Sequence, residues 1–334
     1  MKNTKLALLF AILLSAALLL GACGAPKAEI MEPLVSEEAI NVESAPEPEP
    51  IEETALEVMT FIDGTDTVIE FTEYPQAIVS ISPSTTEILF AVGAGEQLAG
   101  REDMSLYPEE ALDIPSVGAL WGELPIETIL AMEPDLIVAA QIISEDQVQA
   151  LRDLGLNVYW QANPRTFEEL WENLRDFAEL TGHEEETEIL IADLDARVKA
   201  VQEKIAPLSY RPSVFYELDA TEPSAPWTAG SGTFIDYVIS MAGGFNVASE
   251  LQGDYIQISS EELIAINPQI ILLADALYGA APEIVAERPG WNVITAVAEN
   301  AIYPIDPNII SVPGPRLVDA LEETAKILHP SVFE

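Results

Sequence analysis

The stretch "LPIETILAMEPDLIVAA" (residues 124–140) recurs as "ISSEELIAINPQIILLA" (residues 258–274), and that recurrence decides the fold. Glu127 aligns with Glu261, Pro134 aligns with Pro268, and an apolar run follows each proline. The offset, 261 − 127 = 134 residues, is far longer than a solenoid repeat and about the size of one small domain. Each copy reads as a short helix, a proline stop and a buried strand. Two similar lobes are therefore expected.

The flanking sequence repeats in the same order. In the first half, "MTFIDGTDTVIEF" suggests a hairpin turning at Asp63-Gly64, and "AIVSIS" (77–82) a compact strand. "PSTTEILFAVGAG" then reads as a capped helix stopped by glycine, followed by a short strand in "QLAGRED". Beyond the first copy, "SEDQVQALRDLG" is an amphipathic helix and "NVYWQA" a strand. In the second half "SVFYEL" is a strand, "GTFIDYVISMAGG" a helix with a glycine stop, "AIYPID" a late strand and "GPRLVDALEETAKILHP" a closing helix. Strands alternating with helices predict parallel α/β sheets. Residues 166–207 are helical throughout, with breaks at Gly182 and Pro207, and Ile189, Leu190, Leu194, Val198 and Val201 mark one stripe. The division is thus a lobe over 58–165, a helical spine over 166–207 and a lobe over 208–334. Open α/β sheets bind ligands beyond the carboxyl ends of their strands, so two facing lobes make a cleft.

The N-terminus reads differently. Lys2 and Lys5 precede "LALLFAILLSAALLL" and then "LGAC", a positive start, an apolar core and small residues, as in an export signal over 1–22. The apolar run is shorter than the usual span of about 20 residues. Cys23, the only cysteine, sits where a bacterial lipobox places its lipidated residue, and it has no partner for an intrachain disulfide. Residues 23–57 are rich in Glu and Pro and are expected to be a disordered, extended tether.

The formal net charge is −43, from 57 acidic and 14 basic residues, which argues against nucleic acid as a partner. A self-repelling, soluble surface accounts for most of it. There is no Walker A motif, no G-x-G-x-x-G, no H-E-x-x-H and no Cys/His metal site. "AGSGTF" (229–234) is a turn rather than a nucleophile elbow. His183 and His329 read as surface or capping residues. No catalytic residue, no metal ligand and no cofactor of the protein's own is assigned. A cell-surface enzyme and an adhesion module stand as the other classes; turnover, or the lack of a small-molecule pocket, would mark them.

Trp121 precedes Glu127 by six residues, and Tyr255 precedes Glu261 by six. Equivalent aromatics before equivalent helices either face one another across the cleft around a flat ligand or pack on their own lobes. Each glutamate sits in a first helical turn, where the macrodipole favours a carboxylate by about 0.3–1 kcal/mol. The same two acids, one per lobe, would also suit basic patches on a symmetric partner.

At this point the chain resembles the class III substrate-binding proteins of ABC importers, the group serving cobalamin, haem and ferric siderophores. The matching stretches are "VSISPSTTEILFAVGAGEQLAG", "SVGALWGELPIETILAMEPDLIVA", "WTAGSGTFIDYVISMAGGFNV", "ISSEELIAINPQIILL" and "VPGPRLVDALEETAKILHP". The resemblance covers about residues 58–334. The resemblance implies two Rossmann-like lobes joined by a long rigid α-helix, with the ligand held between them. It implies that Glu127 and Glu261 dock onto arginines of a dimeric permease, which works with its ATPase. It also implies a monomer on the extracytoplasmic face of the membrane, lipid-anchored through Cys23, whose small-molecule ligand is a cobalt or iron chelate. The cobalamin branch is nearest, through Trp121 and the aromatic Tyr255. The chain departs from it at Met104 in "REDMSLYP", where that branch has a tyrosine, and at Ile309 and Ile310 in "DPNIISVPGPR". Ser84, Thr85, Met104, Trp160, Tyr216 and Trp227 are further candidate lining residues at strand ends. The cleft loops offer only Arg101 and Arg316 as cations, with a structural role expected for Arg316, so a neutral or cationic chelate is favoured over anionic ones such as haem.

Overall fold

The computed structural model describes residues 58–120 and 122–333. They fall within one compact unit, Ala55–Glu334. A hairpin of β1 (Met59–Ile62) and β2 (Val68–Phe71) leads in. Its Asp63 carboxylate collects the Thr65, Thr67 and Trp160 amides and pairs with Arg152, which fastens the turn to the first lobe. Those hydrogen bonds hold the Asp63 carboxyl below its ordinary value although burial pushes the other way.

The first sheet is built from β3 (Ile78–Ser80), β4 (Leu98–Glu102), β5 (Ser116–Gly118), β6 (Leu136–Ala140) and β7 (Val158–Gln161), all parallel, in the order β5-β4-β3-β6-β7. Helix α1 (Pro83–Val92) follows β3, opening on a proline and ending at Gly93, whose φ of 102° is open to glycine at no steric cost. Helix α2 (Ile126–Ala131) precedes β6, and α3 (Glu145–Arg152) precedes β7 behind a Ser144–Gln147 capping box.

Two helices separate the lobes. Helix α4 (Phe167–Thr181) ends at Gly182, and α5 (Glu184–Ile205) runs for 22 residues and packs against α1 and α4. The buried stripe of α5 is Thr187, Ile191, Leu194, Val198, Val201 and Ile205, spaced by alternating fours and threes. Ile189, expected on that stripe, is 69% exposed, because two positions before Ile191 is half a turn around the helix.

The second sheet comprises β8 (Ser213–Glu217), β10 (Phe245–Asn246), β12 (Ile270–Leu273) and β13 (Ile302–Pro304), again parallel, in the order β10-β8-β12-β13. It is the first sheet without one edge strand. Helix α7 (Ser260–Ile266) stands to α2, and β12 to β6, at the same sequence offset as Glu261 to Glu127. The sequence echo is therefore a structural echo. An antiparallel ribbon of β9 (Trp227–Ala229) and β11 (Tyr255–Gln257) stands beside this sheet. Helices α6 (Phe234–Met241), α8 (Pro282–Ala286), α9 (Thr295–Ala298), α10 (Pro307–Ile310) and α11 (Leu317–Leu328) complete the lobe.

One apolar core runs through both lobes, from Ile78, Leu89 and Leu174 through Leu194 and Val198 to Val214, Ile235 and Leu321. Helix α11 packs on α5, and Arg197 of α5 reaches Asp319 and Glu322 of α11. His183 precedes α5 as its N-cap. His329 caps α11 and is buried under Gly243, whose carbonyl lies 3.1 Å from its Nε2, so it is an interior residue rather than a surface one.

A second link crosses between lobes at the cleft floor. Glu87 of α1 is buried and accepts Arg316 Nε at 2.9 Å and the Arg316 backbone amide at 3.1 Å, with Arg316 Nη2 2.8 Å away. The guanidinium lies 3.7 Å from the centre of the Tyr107 ring. Arg316 is thus structural, as expected. Arg101 is buried too, donating to the Ala111 and Glu102 carbonyls. Removing one partner of a buried pair strands the other charge. Glu87→Ala is expected to lose about 3 kcal/mol of stability in urea unfolding, whereas the double replacement Glu87→Leu with Arg316→Met should lose much less. Equal losses in the two would show that the charges do not act as a pair.

Candidate functional site

Reading each sheet by its strand order locates the site. In the first sheet the order reverses between β3 and β6, and in the second between β8 and β12. Ligands of open α/β sheets sit outside the carboxyl ends at such switch points. Here the two switch points face each other. Pro83 and Ser84 follow β3, Ala140 ends β6 and Gln141 and Ile142 follow it, and Leu218 and Asp219 follow β8; all border one cavity of about 700 Å³. Trp227 and Tyr255, from the paired strands β9 and β11, and the turn Ser311–Pro313 complete its second-lobe wall.

A smaller cavity of about 270 Å³ adjoins it and shares Pro83, Ile142, Ser311 and Val312. Its other walls include Met104, Leu120 and Tyr278. These are two compartments of the cleft with a common waist; a third pocket of about 140 Å³ opens beside both at Pro83 and Val312 and is lined by Met104, Tyr107, Glu87 and Arg316.

The candidate residues divide by orientation. Ser84, Trp227 and Tyr255 border the larger compartment and Met104 the smaller. Trp227, Tyr255 and Met104 are each about two-fifths exposed. Among the described residues nothing accepts the Tyr255 hydroxyl. Desolvation at the wall, then the Asp254 charge, push that phenol up to about 12, so it stays a neutral donor. Three candidates turn away from the cleft. Thr85 is buried with its hydroxyl 2.7 Å from Ser80 Oγ and 2.6 Å from Ser82 Oγ. Trp160 packs in the first-lobe core and donates its indole N–H to the Ile143 carbonyl at 2.9 Å. Tyr216 is fully buried, with its hydroxyl 2.8 Å from Ser311 Oγ, and so reaches the wall only through that serine. Trp121 and Cys23 lie outside the described residues.

Glu127 and Glu261 are exposed in the first turns of α2 and α7. Both helices start at the carboxyl-end side of their sheets, the side on which the cleft lies. Ile310 is buried in the core, and the following residues, Ser311 to Pro313, provide the wall in that loop.

The cleft's electrostatics were only partly anticipated. The larger compartment carries two acids, Asp219 and Asp254, and no Lys or Arg among its lining residues. In the smaller one the only charged group among the described residues is Glu102, whose oxygens accept the Met104 amide and the Ser105 hydroxyl, both at 2.6 Å. Burial raises the Glu102 carboxyl above its ordinary value. Asp219, Asp254 and Tyr278 were missed because their loops carry no motif; the available signal was position, after a strand for Asp219 and Tyr278 and beside Tyr255 for Asp254.

Comparison with known proteins bears on this geometry. A family model described as periplasmic binding protein matches residues 78–309. The chain is 28% identical over 288 residues to the uncharacterized ABC transporter substrate-binding lipoprotein YvrC of Bacillus subtilis, covering 85% of this chain and 89% of that one. The fold superposes on the periplasmic vitamin B12 binding protein BtuF of Vibrio cholerae with a TM-score of 0.66 at 25% identity, covering 78% and 99% of the two chains. It superposes on the periplasmic heme-binding protein RhuT of Roseiflexus sp. RS-1 with a TM-score of 0.69, also at 25% identity, covering 77% and 99%.

One buried acid behind the wall gives a pH test. Asp275, after β12, accepts the Ala220 amide at 3.0 Å, while its Oδ1 is buried with no partner among the described residues. Burial, then the Glu217 charge, raise its carboxyl to about 6 from 3.8. A raised carboxyl binds its proton more tightly in the folded chain, so its cost to stability grows as pH rises from about 4 to 6 and is complete above that. Asp275→Asn is expected to stabilise the protein at pH 7.5 by on the order of 1–2 kcal/mol, with the gain fading toward pH 4. Chemical unfolding at both pH values checks this; a gain independent of pH would assign it to packing.

Proposed function

The chain belongs to the periplasmic binding protein family, and from that premise we propose that it is an extracytoplasmic lipoprotein that captures a metal-chelate ligand, a corrinoid by preference, and delivers it to an ABC importer. The observation that carries the ligand class is the cleft between two switch points, walled by Trp227 and Tyr255 and lined by acids without a basic side chain. A large, flat, partly apolar body suits aromatic walls. A corrinoid's peripheral amides can donate to Asp219 and Asp254, whereas haem propionates would meet repulsion there, and the one cation of the adjoining pocket, Arg316, is already paired with Glu87. A ferric hydroxamate, which carries no carboxylates, is the second reading and rests on the same lack of cations. The similarity to both a vitamin B12 binding and a heme-binding protein is compatible with the shared architecture, so the charge of the walls is the deciding term.

Delivery rests on Glu127 and Glu261, exposed acids on equivalent helices of the two lobes. Their equivalent places, one per lobe, suit a permease dimer that presents the same basic patch twice. Anchoring rests on the export-signal pattern and Cys23, with the relative YvrC, itself named a lipoprotein, in support. No helix among the described residues is long and apolar enough to cross a membrane.

Two measurements test the reading. Calorimetric titration of the unit Ala55–Glu334 with cyanocobalamin, haemin and a ferric hydroxamate should give saturable binding of cyanocobalamin, weakened at least tenfold in Tyr255→Ala and in Trp227→Ala. Strongest binding by haemin would overturn the charge argument. In cells, Glu127→Ala combined with Glu261→Ala should abolish uptake and leave the affinity of the isolated protein unchanged; lost affinity would place the acids in ligand binding instead.

A further inference from the structure

The two compartments of the cleft differ in character. The larger offers carboxylates, the Asn163 and Gln141 amides and the Ser84 hydroxyl beside its aromatics. The smaller gathers Met104, Leu120, Ile142, Tyr278 and Val312. Three of these are unusually exposed for their type: Met104 at 41%, Ile142 at 60% and Tyr278 at 73%. Scattered exposed apolar groups need no explanation, but a convergent set in a concavity marks a binding surface. The polar groups here are spent within the chain. Glu102 is turned onto the Met104 amide and Ser105, and Asn308 Nδ2 donates to Asp306. Both lobes contribute, since Met104, Leu120 and Ile142 come from the first and Tyr278 and Val312 from the second.

We propose that this smaller compartment is a second subsite of the cleft, which seats an apolar, ring-sized arm of the same ligand whose body fills the larger compartment. The inference rests on the reading of the cleft as a metal-chelate site and adds to it a requirement on ligand shape. The common waist of Pro83, Ile142, Ser311 and Val312 makes the two spaces continuous, so one molecule can occupy both. An unbranched thioether at Met104 adapts to a ring edge, and Tyr278 offers a face for stacking. The Ser311 hydroxyl is held by Tyr216, which fixes the waist from behind. A chelate with a planar body and a pendant aromatic base matches this outline, and one stripped of its base leaves the smaller space empty.

The test uses the full chain from Cys23 onward with methyl-labelled methionine, and three probes: 5,6-dimethylbenzimidazole alone, cyanocobalamin, and dicyanocobinamide, which has the corrin ring without the base. The free base should shift the Met104 methyl signal saturably at millimolar concentration, and Tyr278→Ala should weaken that shift at least threefold. Cyanocobalamin should bind at least tenfold tighter than cobinamide. Met104→Trp, which fills the compartment, should erase that preference. An unmoved Met104 signal, or equal affinity for the two corrinoids in the unaltered chain, overturns the proposal. A saturable Met104 shift with neither corrinoid bound would uphold an arm-binding subsite while removing the corrinoid reading of the larger compartment.

Discussion

The ion pair between Glu87 and Arg316 is the constraint on which the cleft depends. It joins the first helix of one lobe to the last long helix of the other, 229 residues apart in sequence. Gly314 lies against it: a Cβ there would sit 3.0 Å from Glu87 Oε1, so a larger residue would have to push the carboxylate aside. A buried pair of this kind is weak evidence for stability, since its desolvation offsets most of the attraction. What it can do is select one arrangement of the lobes over neighbouring ones. Directional contacts at the floor fix the lobe spacing more sharply than the apolar contacts of α5 alone. The continuous core through α5 then resists the hinge motion that two separately packed lobes would permit.

The division into lobes was legible because a long-range duplication leaves a sequence signature that needs no knowledge of pairing. Helix and strand starts in the two copies keep the offset found between Glu127 and Glu261. The β9–β11 ribbon was not legible. Its strands are too short for alternation to register, and Ala229 pairs with Tyr255 only after the chain has passed through α6 and β10. Side-chain direction at strand ends was the other gap. Successive strand residues point to opposite faces, so a one-residue uncertainty decides between wall and core. Trp160 in β7 and Tyr216 in β8 fell on the core side, and in the first turn of α1 the same one-residue step, about 100° around a helix, turns Thr85 inward while Ser84 borders the cavity. Ile189 failed for the helical form of the same reason.

The scarcity of cations in the cleft follows from how the few basic residues are used. Arg152 pairs with Asp63, Arg197 with Asp319 and Glu322, Arg288 with Glu217, and Arg316 with Glu87, while Arg101 is spent on carbonyls. In a chain with 57 acids and 14 bases, each buried carboxylate that must stay charged consumes one of the rare guanidiniums. The walls of the two larger compartments are then left to neutral and acidic groups. Ligand charge is selected by what the fold has already used elsewhere, and an anionic ligand would meet the Asp219 and Asp254 carboxylates in a low-dielectric cleft where repulsion is poorly screened.

A stiff cleft changes where release must come from. A binding protein that closes like a jaw can let ligand go by reopening on its own, with the closed state as a separate population. Where core and ion pair hold one lobe spacing, the bound and free proteins differ little, and opening has to be driven from outside. A partner can shift that equilibrium only by binding the opened form more tightly than the resting one. Under the proposed function, Glu127 and Glu261 are suited to that work. They sit on different lobes, each on the helix that enters the strand beside its switch point, so a pull on both acts directly across the cleft. On that reading the work of opening includes loosening the Glu87–Arg316 floor and the core around α5, so the two acids and the buried pair would act against each other across the cleft.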